Sequence, residues 1–231
     1  MQFTVDDDVF RDIPGLRLAV GWLLLERQPS AEEAEELIAP AWAAASDIGA
    51  DPVQSHPQLA PWREVFRGLA LPARDYLPSV EALVRRARRG GPPLRVQPLV
   101  DAYNAVSLAH LVPVGAFDLA GLQEDIRLGR SQGGEAFWPI GAEAVEEVGP
   151  GELCYLDGRR VLTRHFVWRQ SIWGMIRDTT RRLFLVSEIL PAAQEQAEAV
   201  LQDFRDLAGI LGGTAEVALL DAQHSVSGGP R

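Results

Sequence analysis

Apolar positions along this chain change their period near its middle, and the change divides the predicted elements into two groups. Residues 16–25 (LRLAVGWLLL) are almost continuously apolar and follow Pro14-Gly15, the pattern of a buried strand. Ser30, three residues ahead of Glu33, forms a capping-box pattern that opens a helix running to about Ala45. After a loop at 51–57 rich in Asp, Pro, Ser and His, a second helix is predicted over 59–69, ending near Gly68. Pro78-Ser79 caps a third over 80–89, which Gly90-Gly91-Pro92-Pro93 stops. In residues 98–118 (PLVDAYNAVSLAHLVPVGAFD), Leu99, Ala102, Tyr103, Val106 and Ala109 or His110 recur at helical spacing. Pro113 and Gly115 then break the period, so a helix runs into a tight elbow.

From Asp125 onward short alternating segments take over: 126–128, 136–138, 153–156, 161–168 and 183–186. Gly149-Pro150-Gly151 and Asp157-Gly158 stand where hairpin turns belong. Pro191 begins a last helix to about Leu211, Gly212-Gly213 stops it, and 217–220 reads as a final strand. Helices first, strands later and no regular β-α alternation predict an α+β fold, helix-rich in its N-terminal half and strand-rich in its C-terminal half. We expect one domain over residues 1–222 and a flexible tail over 223–231.

Composition narrows the function classes. With 231 residues, 47% of them hydrophobic, the chain can bury a sizeable core. No apolar run approaches the length of a bilayer span, and the first residues, MQFTVDDD, are acidic where a secretion signal is basic, so a cytoplasmic protein with no membrane partner is expected. The lone Cys154, within Glu152-Leu-Cys-Tyr-Leu, fits a reducing compartment and a buried strand position. A net charge of −10 argues against tight nucleic-acid binding, because phosphate neutralisation dominates such affinities. Local distribution is more favourable: Arg85, Arg86, Arg88 and Arg89 cluster on one helix, Arg159, Arg160, Arg164, Arg169, Arg177, Arg181 and Arg182 recur downstream, and any nucleic-acid contact is expected to run through that helix and these later arginines. The cationic charge is carried by arginine alone, without a lysine, so each run also reads as a solvated face.

Several familiar chemistries lack their signatures. Ser107 and His110 share a helix with Asp101, but no G-x-S-x-G elbow is present. His56, His110, His165 and His224 lack metal-ligand spacing, and Gly133-Gly134-Glu135 lacks a phosphate-loop context, so no metal and no cofactor is expected. Two stretches mix polar and aromatic residues. Asn104 and Ser107, three apart, project from one helix face; they either line a pocket or bond backbone inside a core helix. Continued strand alternation over 164–171 places Arg164, Phe166, Trp168 and Gln170 on one face, as a ligand-facing wall or as a sheet surface with Arg stacked on Trp.

The run Leu99-Val-Asp-x-Tyr-Asn104-x-x-Ser-Leu, followed by Val112-Pro-Val-Gly-Ala-Phe-Asp118, resembles the tRNA-editing (B3/B4) module of bacterial phenylalanyl-tRNA synthetase beta subunits. The resemblance continues in order through Leu122, Asp125-Ile-Arg-Leu, Gly134-Glu135, Asp178-Thr-Thr and Leu183-Phe-Leu-Val-Ser-Glu188, with Tyr76-Leu-Pro-Ser-Val80 upstream, and covers about half the chain. It implies a sandwich-like, mostly antiparallel sheet core flanked by a helical layer. It also implies a trans-acting hydrolase that deacylates tRNA mischarged with a tyrosine-like aromatic amino acid, or a non-catalytic module binding tRNA, an amino acid or another small molecule on the same fold. Two departures stand out. Gly115 occupies the place of a usual His, and 164–171 stands where the family has a G-G-x-x-S-G-V-type segment with a Glu that helps read a substrate hydroxyl; no Glu is present here, and Gln170 or Ser171 occupies the neighbourhood. The candidate site is therefore Gly115, Asn104 and Ser107 for the chemistry, with Phe117, Trp168, Arg169, Gln170 and Ser171 holding substrate and Gln170 reading its polar group.

Overall fold

The computed structural model describes residues 1–72, 74–93 and 95–229. The chain opens with two elements that periodicity did not announce, strand β1 (Gln2–Val5) and the short helix α1 (Asp7–Asp12). Strand β2 (Arg17–Leu24) follows as predicted, and α2 (Ala31–Ser46) begins at a completed capping box: Glu33 N–H donates to Ser30 Oγ at 3.1 Å while Ser30 N–H donates to Glu33 Oε2 at 2.8 Å. Helix α3 (Trp62–Gly68) starts three residues later than expected, and α4 (Ser79–Arg88) lies where Pro78 placed it.

Helix α5 (Pro98–His110) has Pro98 in its first turn, where no amide donor is needed, and the Gln97 side chain accepts from the Leu99 and Val100 N–H groups. It ends at Leu111 in the left-handed region (φ 53°). Ser107 Oγ donates to the Val112 carbonyl at 2.6 Å and fixes the reversal into strand β3 (Val114–Asp118). The remaining strands are β4 (Ile126–Arg130), β5 (Glu135–Phe137), β6 (Glu146–Val148), β7 (Leu153–Asp157), β8 (Arg160–Arg164), β9 (Arg169–Gln170), β10 (Arg182–Ile189), β11 (Thr214–Leu220) and β12 (Val226–Gly228), with α6 (Ala197–Ile210) between β10 and β11.

These strands make two sheets. The larger runs β12-β1-β4-β7-β8-β5-β6 with β9 added to β8, antiparallel except at β1/β4 and β5/β8. The smaller is wholly antiparallel, in the order β11-β2-β10-β3. Strand alternation divides the small sheet's side chains between two cores. Val20, Trp22, Phe117, Phe184 and Val186 meet Phe3, Ile126, Leu128 and Tyr155 of the large sheet. Ala19, Leu23, Ala116, Leu183 and Leu185 face α5 and α6. The fold is thus α+β, a sheet-on-sheet sandwich with helices layered on the small sheet. A further cluster joins α2, α4 and the end of α5 through Trp42, Val80, Val84 and Leu108.

Two expectations are corrected. Residues 226–228, assigned to a flexible tail, form β12 against β1, and Trp22 Nε1 donates to Ser227 Oγ at 3.0 Å; residues 230 and 231 lie outside the described residues. The strand predicted over 161–168 stops at Arg164, because His165 (φ 49°) and Phe166 (φ 67°) both adopt left-handed backbone. No helix among the described residues is long and apolar enough to cross a membrane.

Helices α5 and α6 are joined by His110, whose Nε2 lies 2.7 Å from Asp203 Oδ2 and whose Nδ1 lies 2.9 Å from Gln196 Oε1. The Asp203 hydrogen bond raises the imidazole pKa above its ordinary value, against the opposing effect of burial. This contribution is complete below the unfolded value and fades as pH rises through the folded one. Asp203 is more than a third exposed, so the effect should be about 1 kcal/mol or less. Denaturation curves should therefore show Asp203→Asn costing more stability at pH 6 than at pH 8, by this amount, whatever pH dependence the two proteins share.

Candidate functional site

A cavity of about 170 Å³ opens where the free edge of β3 and the β8–β9 turn diverge, beneath the start of α4 and the middle of α5. Its floor is made by Phe117, Tyr155, Val186 and Glu188, all nearly inaccessible to solvent. Partly exposed side chains of Ser79, Asn104, Trp168 and Gln170 stand around its mouth. β3 pairs with β10 in a register that sets Gly115 opposite Val186 and Phe117 opposite Phe184, so Gly115 and Phe117 share the inter-sheet face with the floor. In the large sheet Tyr155 is opposite Thr163, and both reach the cavity.

Five of the residues expected in the site meet here: Asn104, Gly115, Phe117, Trp168 and Gln170. A Cβ built on Gly115 would find no atom within 4 Å, so the glycine leaves the cavity open beside the β3 backbone. Asn104 has no hydrogen-bond partner for its amide among the described residues, which leaves a donor and an acceptor available at the mouth. Gln170 Nε2 donates to the Ala116 carbonyl at 2.8 Å. That bond shows which way Ala116 faces. Its carbonyl and, by strand geometry, its N–H point away from β10 toward the open side. Removing the Gln170–Ala116 bond in Gln170→Ala should cost about 1 kcal/mol in urea denaturation. An unchanged midpoint would mean that the bond does not join the two walls in solution.

Three expected residues lie outside the cavity lining. Ser107 is fully buried and its hydroxyl is committed to the Val112 carbonyl, so it serves the elbow. Ser171 is likewise buried, its Oγ accepting from Trp173 N–H at 3.1 Å. Arg169 is exposed, with its guanidinium carbon 5.9 Å from the Trp168 ring. Arg164, expected on the same face as Trp168, turns to Glu152 at 2.7 Å and Glu146 at 2.9 Å. The arginine cluster of α4 is also largely engaged within the fold. Arg85 bonds the fully buried Glu81 at 2.7 Å and Gln54 at 2.9 Å, Arg88 bonds the Ala50 carbonyl, and Arg86 reaches the Pro92 carbonyl at 3.4 Å. Arg89 is exposed at the helix end.

The groups that sequence reasoning missed are Glu188 and Tyr155. No Glu was expected in the site, yet Glu188 lines it, on the same face of β10 as Phe184 and Val186. The Tyr155 hydroxyl donates to Glu188 Oε1. Burial pushes the Glu188 carboxyl up to about 8, against the opposing hydrogen bond from Tyr155, and burial likewise raises the Tyr155 hydroxyl. At neutral pH the floor is therefore mostly a neutral acid beside a neutral phenol. The signal available in the sequence was one carboxylate in the run 183–190 (LFLVSEIL), apolar apart from Ser187 and Glu188, at a position sharing parity with Phe184.

Outside the lining, Tyr76 meets the ring of Trp168 at 4.8 Å and that of His165 at 4.5 Å, edge-on in both cases. The Phe117-Asp118 pair is held from below. Asp118 Oδ2 accepts from Thr180 Oγ1 at 2.7 Å, Asp118 Oδ1 accepts from Ala120 N–H at 3.0 Å, and Phe117 packs on Tyr155 with ring centroids 5.6 Å apart. Two of the motifs singled out in the sequence, Ala116-Phe117-Asp118 and Asp178-Thr179-Thr180, thus brace one another beneath the site.

Over 92% of its length the chain is similar to an N-terminal fragment of the phenylalanyl-tRNA synthetase beta-subunit from Pyrococcus horikoshii, with 13% identity and a TM-score of 0.47. It spans about half of that structure, 49% of its length. No curated protein matches the sequence. The family model of the B3/4 domain matches residues 62–203, a span that contains all of the residues lining the cavity. The chain belongs to the B3/4 domain family.

Proposed function

We propose that this chain is an aminoacyl-tRNA deacylase, clearing esters of a tyrosine-like amino acid from tRNA by placing a water against the ester. The observation that carries this reading is the cavity itself: room for one ring, aromatic walls, and a neutral carboxylic acid with a phenol at the floor. An apolar cavity of about 150 Å³ holds benzene, so about 170 Å³ suits a single six-membered ring with a small substituent. A hydroxyl on that ring would meet Glu188 and Tyr155, which can both donate and accept; phenylalanine would leave them unpaired. Glu188 therefore takes the reading role that the sequence suggested for Gln170, whose NH₂ is held by Ala116.

The ester end would lie toward the mouth, near Asn104 and the Ala116 N–H, which supply donors to the carbonyl oxygen as it gains charge. Water adds to the ester carbon, the bond to the ribose oxygen breaks, and the proton from water ends on the released ribose hydroxyl. An aminoacyl ester is already activated, so positioning and oxyanion donors suffice without a protein nucleophile. That agrees with the engagement of Ser107 elsewhere. Contact with the tRNA body would fall to Arg86 and Arg89, exposed members of the α4 cluster that form no ion pair among the described residues, and would be weak and salt-sensitive on a chain of net charge −10.

One observation favours the second reading, a module that binds a free tyrosine-like amino acid or a related small molecule. Arg85 and Arg88 are spent on intrachain partners, which reduces the cationic face that α4 offers to tRNA. A deacylation assay with tRNA carrying tyrosine or phenylalanine decides between them. Release of tyrosine with turnover, faster than release of phenylalanine, is expected. Release at the buffer rate, with tyrosine still protecting the protein against heat, would replace the enzyme by the binding module.

A further inference from the structure

A second concavity, of about 420 Å³, lies on the opposite side of α5 from the site, between α2 and α6. Its floor is apolar and smooth: Leu37 and Pro40 from α2, Ala105 and Val106 from α5, and Leu207 from α6, with Ile210 half exposed at one end. Small side chains on the middle helix let an incoming element come close, and a groove between helices with this lining is suited to a helix that presents an apolar stripe.

The polar groups on this groove identify the occupant further, because they are acceptors. Asp203 and Asp206 line it directly. Pro40 lies inside α2 and has no N–H to give the Glu36 carbonyl one turn before it, so that carbonyl is left as another acceptor on the same helix face. The C-terminal turn of α6, with its negative dipole end, finishes at Ile210. Two cationic groups of the chain already meet part of this set, Arg27 at the Ile210 carbonyl and His110 at Asp203 Oδ2, while Arg27 also pairs with Glu33 and Arg205 reaches Gln202. From this complementarity we propose that the groove docks an amphipathic helix of a partner protein whose apolar face is flanked by arginine or lysine.

The test uses the full chain and a synthetic helical peptide with leucines at i, i+3, i+4 and i+7 flanked by arginines, beside a twin peptide with glutamates in place of the arginines. Fluorescence anisotropy should show the arginine peptide binding at least about tenfold more tightly than its twin, with the difference shrinking in high salt. Asp203→Asn combined with Asp206→Asn should weaken it about three- to tenfold, the worth of two exposed ion pairs. Ala44→Glu, at an exposed position on the groove, should remove binding without lowering the melting temperature. Equal affinity for the two peptides, or binding indifferent to these substitutions, would overturn the proposal. So would a concentration-dependent dimer of the free chain that Ala44→Glu dissolves, which would assign the groove to a second copy.

Discussion

Gly115→Val should abolish turnover of tyrosyl-tRNA, by at least about a hundredfold, while the protein becomes no less stable. The two halves of this expectation have separate causes. Gly115 sits in the interior of a strand, where glycine is unfavourable and a β-branched residue is favoured, by up to about 1 kcal/mol. Its backbone is not left-handed, and the added Cβ meets nothing within 4 Å, so neither strain nor a clash opposes the change. The new methyl groups would point into the cavity, between the floor at Val186 and the mouth at Asn104, and would hold the substrate ring or ester away from the donors. Gly115→Ala should fall between. Rates compared with melting temperatures for the three proteins check this directly; full activity in the valine variant would show that substrate does not approach β3 and would remove the site.

The opposition of effects at Gly115 also shows what kind of information the sequence carried. Helix α5 and its elbow were legible because the apolar period, the Pro98 start and the break at Pro113 are local signals, and they placed Asn104 and Gly115 on one structure. The cavity floor was not legible in the same way. Tyr155 and Glu188 lie 33 residues apart on strands of different sheets, and only the packing of the two sheets brings them together. Their register is set by pairing between distant strands, which no local pattern reports. The break after Arg164 was hidden for a related reason: His165 and Phe166 take left-handed backbone without a glycine to mark it. The engagement of Arg85 was hidden for a third reason, because its partner is Glu81, a fully buried carboxylate that reads in the sequence as one more charge on a solvated face.

Glu188→Gln should remove a pH dependence of stability that the wild-type chain possesses. In the unfolded chain this carboxyl titrates at its ordinary 4.5, and in the folded protein burial pushes it up to about 8. Between those values the folded state holds a proton that the unfolded state has released, so stability falls as pH rises through the interval and levels off above the folded value. Between pH 6 and pH 9 the loss from this one group should be about 2–3 kcal/mol. Glutamine keeps the shape and can still accept from the Tyr155 hydroxyl, yet cannot ionise, so its urea midpoint should decline only by the smaller His110 contribution where the wild-type midpoint declines by both. Activity adds a second axis. If the neutral acid reads a ring hydroxyl, Glu188→Leu should lose about 1–3 kcal/mol of discrimination between tyrosyl and phenylalanyl esters, while glutamine retains part of it as a neutral donor and acceptor. A wild-type stability profile as flat as that of the glutamine variant would mean that Glu188 is solvated and ionised in the folded protein. The cavity would then present a charge to its ligand, and selection for a neutral phenol would lose its physical basis.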